Sequence, residues 1–467
     1  MKLQKYQKCS EVTRGLEKAE LVLKNARIVN VFTREILKGD IAIEDGLISG
    51  IGSYEGKREI DLEGRYVCPG LIDSHLHLES TLVTPAELVT VASRHGTTTF
   101  IVDPHESANV SGLKGIDYIL NQTEDVDANV FVMMPSCVPA TAIDDNGCTL
   151  TAQDMEPYLS KKRILGLGEV MDYISVVKGD EAMHRKLELF RDKVRDGHAP
   201  FLSDMDLQAY AMAGIATDHE CSDFAYAMKE RRNGMIVHIR EGSAARNLKA
   251  IVNGIVENQM NGEGFCFCTD DKHIEDIEKE GHIDHNVRKA IKLGMDPIDA
   301  ICMATINSAK CYGLRRLGAV ATGYQADLLV LDDIENMTDE IYYALEEKQE
   351  KRININLTNN MSSTKAQNSS AVSTSAKVEN KRPDVKISQK AIENSEKRQI
   401  NNGLRDLIQI LLIRELLNRP RPPFRPPMPN PPGPGPRPPM RPPFRPGPGR
   451  PPFNRDFGSY NDLYEQF

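Results

Sequence analysis

The chain has 467 residues, with 58 lysines and arginines against 67 aspartates and glutamates, a net charge of −9. That length exceeds one ordinary domain, and the modest acidity speaks against nucleic acid as the main ligand. Nine cysteines with no Cys-x-x-Cys pair, a charged and mixed Met1–Glu20 and no apolar run of about 18 residues predict a reduced, cytoplasmic protein without a membrane span.

Residues 1–66 carry short alternating runs, among them Ala26-Arg-Ile-Val-Asn-Val-Phe32 and Gly39-Asp-Ile-Ala-Ile43, punctuated by Gly and Asp. This pattern predicts one part of a small β-sandwich, and Ala326-Asp-Leu-Leu-Val-Leu-Asp332, within residues 313–335, predicts its return segment. Between them, residues 67–312 have the size of one (β/α)8 TIM-like barrel, about 250 residues. Strand candidates follow in order at 67–73, 97–103, 129–135, 164–169, a short run ending at His198, 214–219, 234–239 and 264–270. Helical patterns fill most gaps, for example 182–195 and 223–233. Strands alternating with helices predict a parallel sheet, and eight is the number that closes a barrel.

His75 and His77 lie two apart at the end of the first strand, so an extended chain points both to one side. A His-x-His alone says little. In such barrels, however, active sites form at the C-terminal strand ends. Glu169 ends the fourth strand, His198 the fifth, His219 the sixth and Asp270 the eighth. These six side chains are therefore expected to gather into one metal site. Cys266 and Cys268 share a face with Asp270 and read as barrel filler, His95 and His184 as structural, and His273, His282 and His285 as helix-surface residues. Asp103, His105 and Glu106 follow the second strand, where a stiff loop around Pro104 and a ligand contact are equally good readings. Arg240 and Glu241 follow the seventh strand and suit either a substrate contact or a buried ion pair with each other.

The stretches Pro69-Gly-Leu-Ile-Asp-Ser-His-Leu-His77, Asp103-Pro-His-Glu106, Gly166-Leu-Gly-Glu-Val170, Asp196-Gly-His198, Thr217-Asp-His-Glu220, Ile239-Arg-Glu-Gly-Ser243 and Cys268-Thr-Asp-Asp271 carry a resemblance. The chain resembles the amidohydrolase superfamily and, within it, adenine deaminases of the bacterial type. The resemblance implies a binuclear Mn(2+) or Fe(2+) site on His75, His77, Glu169, His198, His219 and Asp270. Glu169 then bridges the metals where many relatives use a carboxylated lysine. It also implies hydrolysis of adenine to hypoxanthine and ammonia by a metal-bound hydroxide, with Asp270 as proton shuttle. Purine contacts would come from Asp103, His105, Glu106, Arg240 and Glu241. The fold class is compatible with homo-oligomers.

Beyond Asp333 the resemblance stops, and the further C-terminal domain of these deaminases has no counterpart in the expected layout. An acidic stretch over 338–351 suits a short helix, and residues 336–400 have the composition of a disordered linker. Residues 401–418 place leucines at helical spacing, an amphipathic pattern. Residues 419–467 form a Pro/Arg-rich low-complexity tail, with 18 of the 27 prolines in positions 420–452. Such a tail is extended polyproline II, either a spacer or a ligand for a protein partner. Two other functions stay open at this point: an inactive scaffold derived from a deaminase, or an amidohydrolase acting on a cyclic amide.

Overall fold

The computed structural model describes residues 1–141, 143–334 and 342–343. The expected linker, amphipathic helix and tail lie outside the described residues except for Tyr342–Tyr343, which form a strand where a helix was expected.

After an opening helix, Leu3–Thr13, come β1 (Ala19–Asn30), β2 (Glu35–Glu44), β3 (Leu47–Gly52), β4 (Gly56–Asp61) and β5 (Tyr66–Pro69). They join one mixed sheet, completed late in the chain by β14 (Leu328–Leu331) and β15 (Tyr342–Tyr343), in the order β15-β14-β5-β1-β2-β3 with β4 beside β1. β1 changes partner along its length, pairing parallel with β4 in its first half and with β5 in its second. The return segment does meet the N-terminal one, β14 running antiparallel to β5. The strand pairing draws a single branched sheet. Ile28, Ile41, Ile48, Val67 and Leu328 form its core.

Pro69-Gly70 is the crossing into the second part of the fold. The sequence reads as one strand over 67–73, but the structure splits it into β5 and β6 (Leu71–Leu76). Gly70 lies so close to Thr98 that an added Cβ would sit 2.2 Å from its hydroxyl, so a side chain there would push β6 off its neighbour.

From β6 the chain alternates strands and helices through β7 (Thr97–Val102), β8 (Asn129–Met134), β9 (Ile164–Val170), β10 (Val194–Gly197), β11 (Thr217–Asp218), β12 (Ile236–Arg240) and β13 (Phe265–Cys268). All pairings among them are parallel, in two runs, β6 to β10 and β11 to β13. Backbone hydrogen bonds cross both seams between the runs. Ala216 N–H donates to the Arg195 carbonyl at 2.9 Å, Asp270 N–H to His75 at 3.0 Å and His77 N–H to Asp270 at 3.2 Å. The result is a curled parallel sheet of TIM-barrel type, with its strand C-terminal ends gathered on one face.

Helix Phe224–Arg232 begins at the Asp223 cap, as its sequence predicts. Helix Glu181–Leu189 stops well short of residue 195, because Val194 is needed in β10. Leu187 and Phe190 are both buried, so apolar spacing runs on through the turn and hides the boundary. Two apolar clusters pack helices onto the strands, one around Leu76, Val102, Val132 and Leu167, the other around Val237, Ile251, Phe265 and Val287. Among the described residues no helix is long and apolar enough to cross a membrane.

Candidate metal centre

Six side chains at the strand ends meet around Glu169. The end of β9 brings its carboxylate inward, only 2% exposed. One oxygen, Oε1, lies 2.8 Å from His105 Nδ1 and 3.5 Å from His77 Nε2. The other, Oε2, lies 2.8 Å from His198 Nδ1 and 3.3 Å from His219 Nε2. Asp270 Oδ1 closes the ring at 3.2 Å from His77 Nε2 and 3.7 Å from His75 Nε2. The His75 and His219 rings stack at 4.2 Å. Each of the residues expected from the strand ends is thus present at one place, and His105 joins them.

The backbone around these groups is held from behind. Glu169 N–H donates to Asp103 Oδ2 at 2.8 Å, and its carbonyl accepts from the Ser136 hydroxyl at 2.5 Å. Lys186, from the helix Glu181–Leu189, in turn donates to the Ser136 carbonyl at 2.7 Å. Asp270 takes a left-handed backbone conformation, φ +57°, rare for a residue with a side chain. Its Oδ2 accepts from Arg240 at 2.8 Å, and the same guanidinium grips both oxygens of Glu220.

Burial disfavours charge on every one of these groups, so their pairing decides the ionisation. Desolvation would raise the Glu169 carboxyl, yet His105, His198 and His219 hold it well below the usual carboxylate range. For His219, Glu169 and Asp270 outweigh burial and push it up to about 9. His75 goes the other way, driven well below the usual imidazole range by burial and by His219 and His77. Its Nε2 is buried with no hydrogen-bond partner, 3.7 Å from Asp270 Oδ1. The histidine nitrogens and the carboxylates of Glu169 and Asp270 fall into overlapping groups of three, such as His75, His219 and Asp270 or Glu169, His198 and His219, each with its donor atoms within 4.8 Å of one another, and such donors suit a first-row divalent metal.

Other residues fall differently. Asp103 is fully buried behind Glu169 rather than at the opening, and burial pushes its carboxyl up to about 7. Glu106 is half-buried beside His77 and His105, 3.9 and 3.6 Å away. Arg240 and Glu241 do not pair with each other. Glu241 is buried, bonded to Lys289 and, at 3.4 Å, to Arg246. His282 is no surface residue either: fully buried, it places Nδ1 2.9 Å from the Thr97 hydroxyl and Nε2 3.2 Å from Asp73. His95 pairs with Asp284 and His184 with the Val176 carbonyl, both structural as expected. Two residues escaped the reading of the sequence. Glu220 directly follows His219, and Cys137 lies just past the end of β8, its thiol grouped with His105 and Glu169. The strand-end rule that found the others would have found both.

The chain is 60% identical over 343 residues to an adenine deaminase of Desulfitobacterium hafniense (strain Y51), covering 73% of this chain and 60% of that protein. It is 49% identical over 325 residues to an adenine deaminase of Clostridium acetobutylicum, covering 69% and 57%. The chain thus spans about three-fifths of the length of these curated relatives. Among solved structures, one described as an adenine deaminase superposes with a TM-score of 0.53 at 18% identity, over 67% of this chain and 90% of that one. A β-aspartyl dipeptidase of Fervidobacterium islandicum AW-1 gives 0.51 at 17%, over 69% and 94%. At such identities the likeness speaks for the fold alone. Residues 66–367 match the model of the amidohydrolase family, and with the strand order and the strand-end histidines in place, the chain belongs to that family.

Proposed function

We propose that this chain deaminates adenine hydrolytically, giving hypoxanthine and ammonia, at a binuclear manganese or iron centre. Membership of the family implies a divalent metal. The observation that carries the binuclear reading is the placement of Glu169, one carboxylate oxygen beside His77 and His105 and the other beside His198 and His219. His75, His77, Glu169, His198, His219 and Asp270 would hold the metals. When bound, they supply a nucleophile near neutral pH by lowering the pKa of water.

In the reaction a water oxygen bonds to C6 of adenine, the C6–N6 bond breaks, and the amino group leaves as ammonia. Asp270 takes the proton from the attacking water and delivers it to the departing amine. Arg240 keeps that carboxylate oriented, 2.8 Å from Oδ2, and Glu220 fixes Arg240 in turn. Such acid–base help is worth about 10²–10⁴-fold. Glu106, whose carboxyl burial raises, is suited to protonate a ring nitrogen, and His105 lies beside it. The domain layout extends this reading: a (β/α)8 barrel over 67–312, a small β-sandwich from 1–66 and 313–335, and segments 336–400, 401–418 and 419–467 as appendages, the last able to bind a protein partner. A cytoplasmic location fits a free purine base as substrate.

The test is product analysis. Protein reconstituted with manganese is mixed separately with adenine, adenosine, hydantoin and dihydroorotate, and ammonia and hypoxanthine are followed. Release of both from adenine alone is expected. Ring opening of a cyclic amide would replace this reading with the other amidohydrolase chemistry, and inertness of the metal-loaded protein toward all four would favour the scaffold.

A further inference from the structure

We infer that four buried aspartates, Asp73, Asp103, Asp196 and Asp218, are positioning residues that set the site by holding the chain next to its ligands; the inference rests on the metal reading above. Three stand two residues before a site histidine, as Asp73-Ser-His75, Asp103-Pro-His105 and Asp196-Gly-His198, and Asp218 directly precedes His219. None is more than 2% exposed.

Each reaches across to a different strand end. Asp73 accepts from the Thr269 N–H at 3.1 Å and the Thr269 hydroxyl at 2.5 Å, and from its own strand's His75 N–H at 3.3 Å. It therefore grips Thr269, the residue before Asp270, and opposes relaxation of the left-handed conformation of Asp270. Asp103 holds the N–H of Glu169 itself, and only glycine at 168 allows it, since a Cβ there would lie 2.2 Å from the Asp103 carboxylate. Asp196 accepts from the Thr217 and Tyr312 hydroxyls, each at 2.8 Å. Asp218 accepts from Ala199 N–H at 2.6 Å on one oxygen and from Glu220 and Cys221 N–H at 2.7 and 3.1 Å on the other. The bonded partners include Thr269, Glu169, Ala199 and Glu220, each a site residue or its immediate neighbour. A carboxylate is the group that accepts several such bonds at once, and one left buried without them would be costly.

The four differ in a way that makes the role testable. Asp218 uses both oxygens, whereas at Asp103 only Oδ2 is engaged and Oδ1 has no hydrogen-bond partner. Manganese affinity is measured by equilibrium dialysis on full-length parent, Asp103→Ala, Asp103→Asn, Asp218→Ala and Asp218→Asn, with circular dichroism to confirm folding. Both alanine variants are expected to bind manganese about 10–100-fold more weakly. Asparagine, which keeps one acceptor oxygen, should restore most of the affinity at 103 and little at 218. A role limited to the negative charge predicts equal failure of both asparagines and would overturn the inference, as would parent-like affinity in the alanine variants. Where an aspartate variant does not fold, Thr269→Val removes a single donor to Asp73 and must still weaken manganese binding several-fold. A parent that binds no manganese would sink the metal reading itself, a result distinct from either of these.

Discussion

Replacing Glu169 by glutamine isolates what its charge contributes to the site. The side chain keeps its shape, and its backbone stays tied to Asp103 and Ser136. What changes is the negative charge, which is 2% exposed and faces imidazole nitrogens 2.8–3.5 Å away on both oxygens. An amide can offer an acceptor to only one of the two sides and presents N–H groups to the other. Removing one partner from a buried charged cluster costs about 3–5 kcal/mol, roughly 150–5,000-fold in binding. We expect Glu169→Gln to lose metal at concentrations that saturate the parent, with activity falling in proportion to occupancy. The assay is metal content per chain after dialysis against graded manganese, paired with ammonia release. A variant that binds two metals with parental affinity would refute the bridging role.

Asp270→Asn should retain some bound metal yet lower kcat per bound metal by about 10²–10⁴-fold, since asparagine cannot accept the water proton, and a parental kcat would remove Asp270 from the mechanism. Glu241→Gln should destabilise the fold by about 3–5 kcal/mol in urea titrations and leave the KM for adenine unchanged in the folded protein, because its partners are Lys289 and Arg246; a raised KM would return it to the substrate site. Burial raises the Glu230 carboxyl to about 11 in the folded state. Its neutral form is favoured there, so stability is greatest below the unfolded value near 4.5 and declines as pH rises toward 11. Glu230→Gln should thus stabilise the protein by on the order of 3 kcal/mol at pH 7, with the gain vanishing near pH 4.5, and a pH-independent difference in urea midpoint would contradict it. Chelation should lower the thermal midpoint and manganese should restore it, because metal binds the folded site. An unchanged midpoint would argue against a metal at this position.

The strand ends were the legible part of the sequence. A period of two, an alternation with helices and the rule that barrel sites form at C-terminal strand ends suffice to bring His75, His77, Glu169, His198, His219 and Asp270 together. Neighbouring residues at the same ends were not separable that way. β12 ends at Arg240, whose guanidinium bonds Asp270, while the next side chain, Glu241, meets Lys289 and Arg246, partners that come from elsewhere in the chain. His282 was hidden by its surroundings, since Asp284 and Asn286 make the segment read as surface although both are buried with polar partners. Asp103 illustrates the same limit: its partner Glu169 is 66 residues away, and no local pattern announces a hydrogen bond at that separation. Gly70 separates β5 from β6 and packs against Thr98, a neighbour visible only once the sheet is assembled.

We propose one binuclear site on this chain for the deamination of adenine. The most direct measurement is ammonia release from adenine as metal-free protein is titrated with manganese. Activity should rise with added metal and level off at two equivalents per chain, with one hypoxanthine formed per ammonia. Full activity in the metal-free protein, or a plateau at one equivalent, would contradict it.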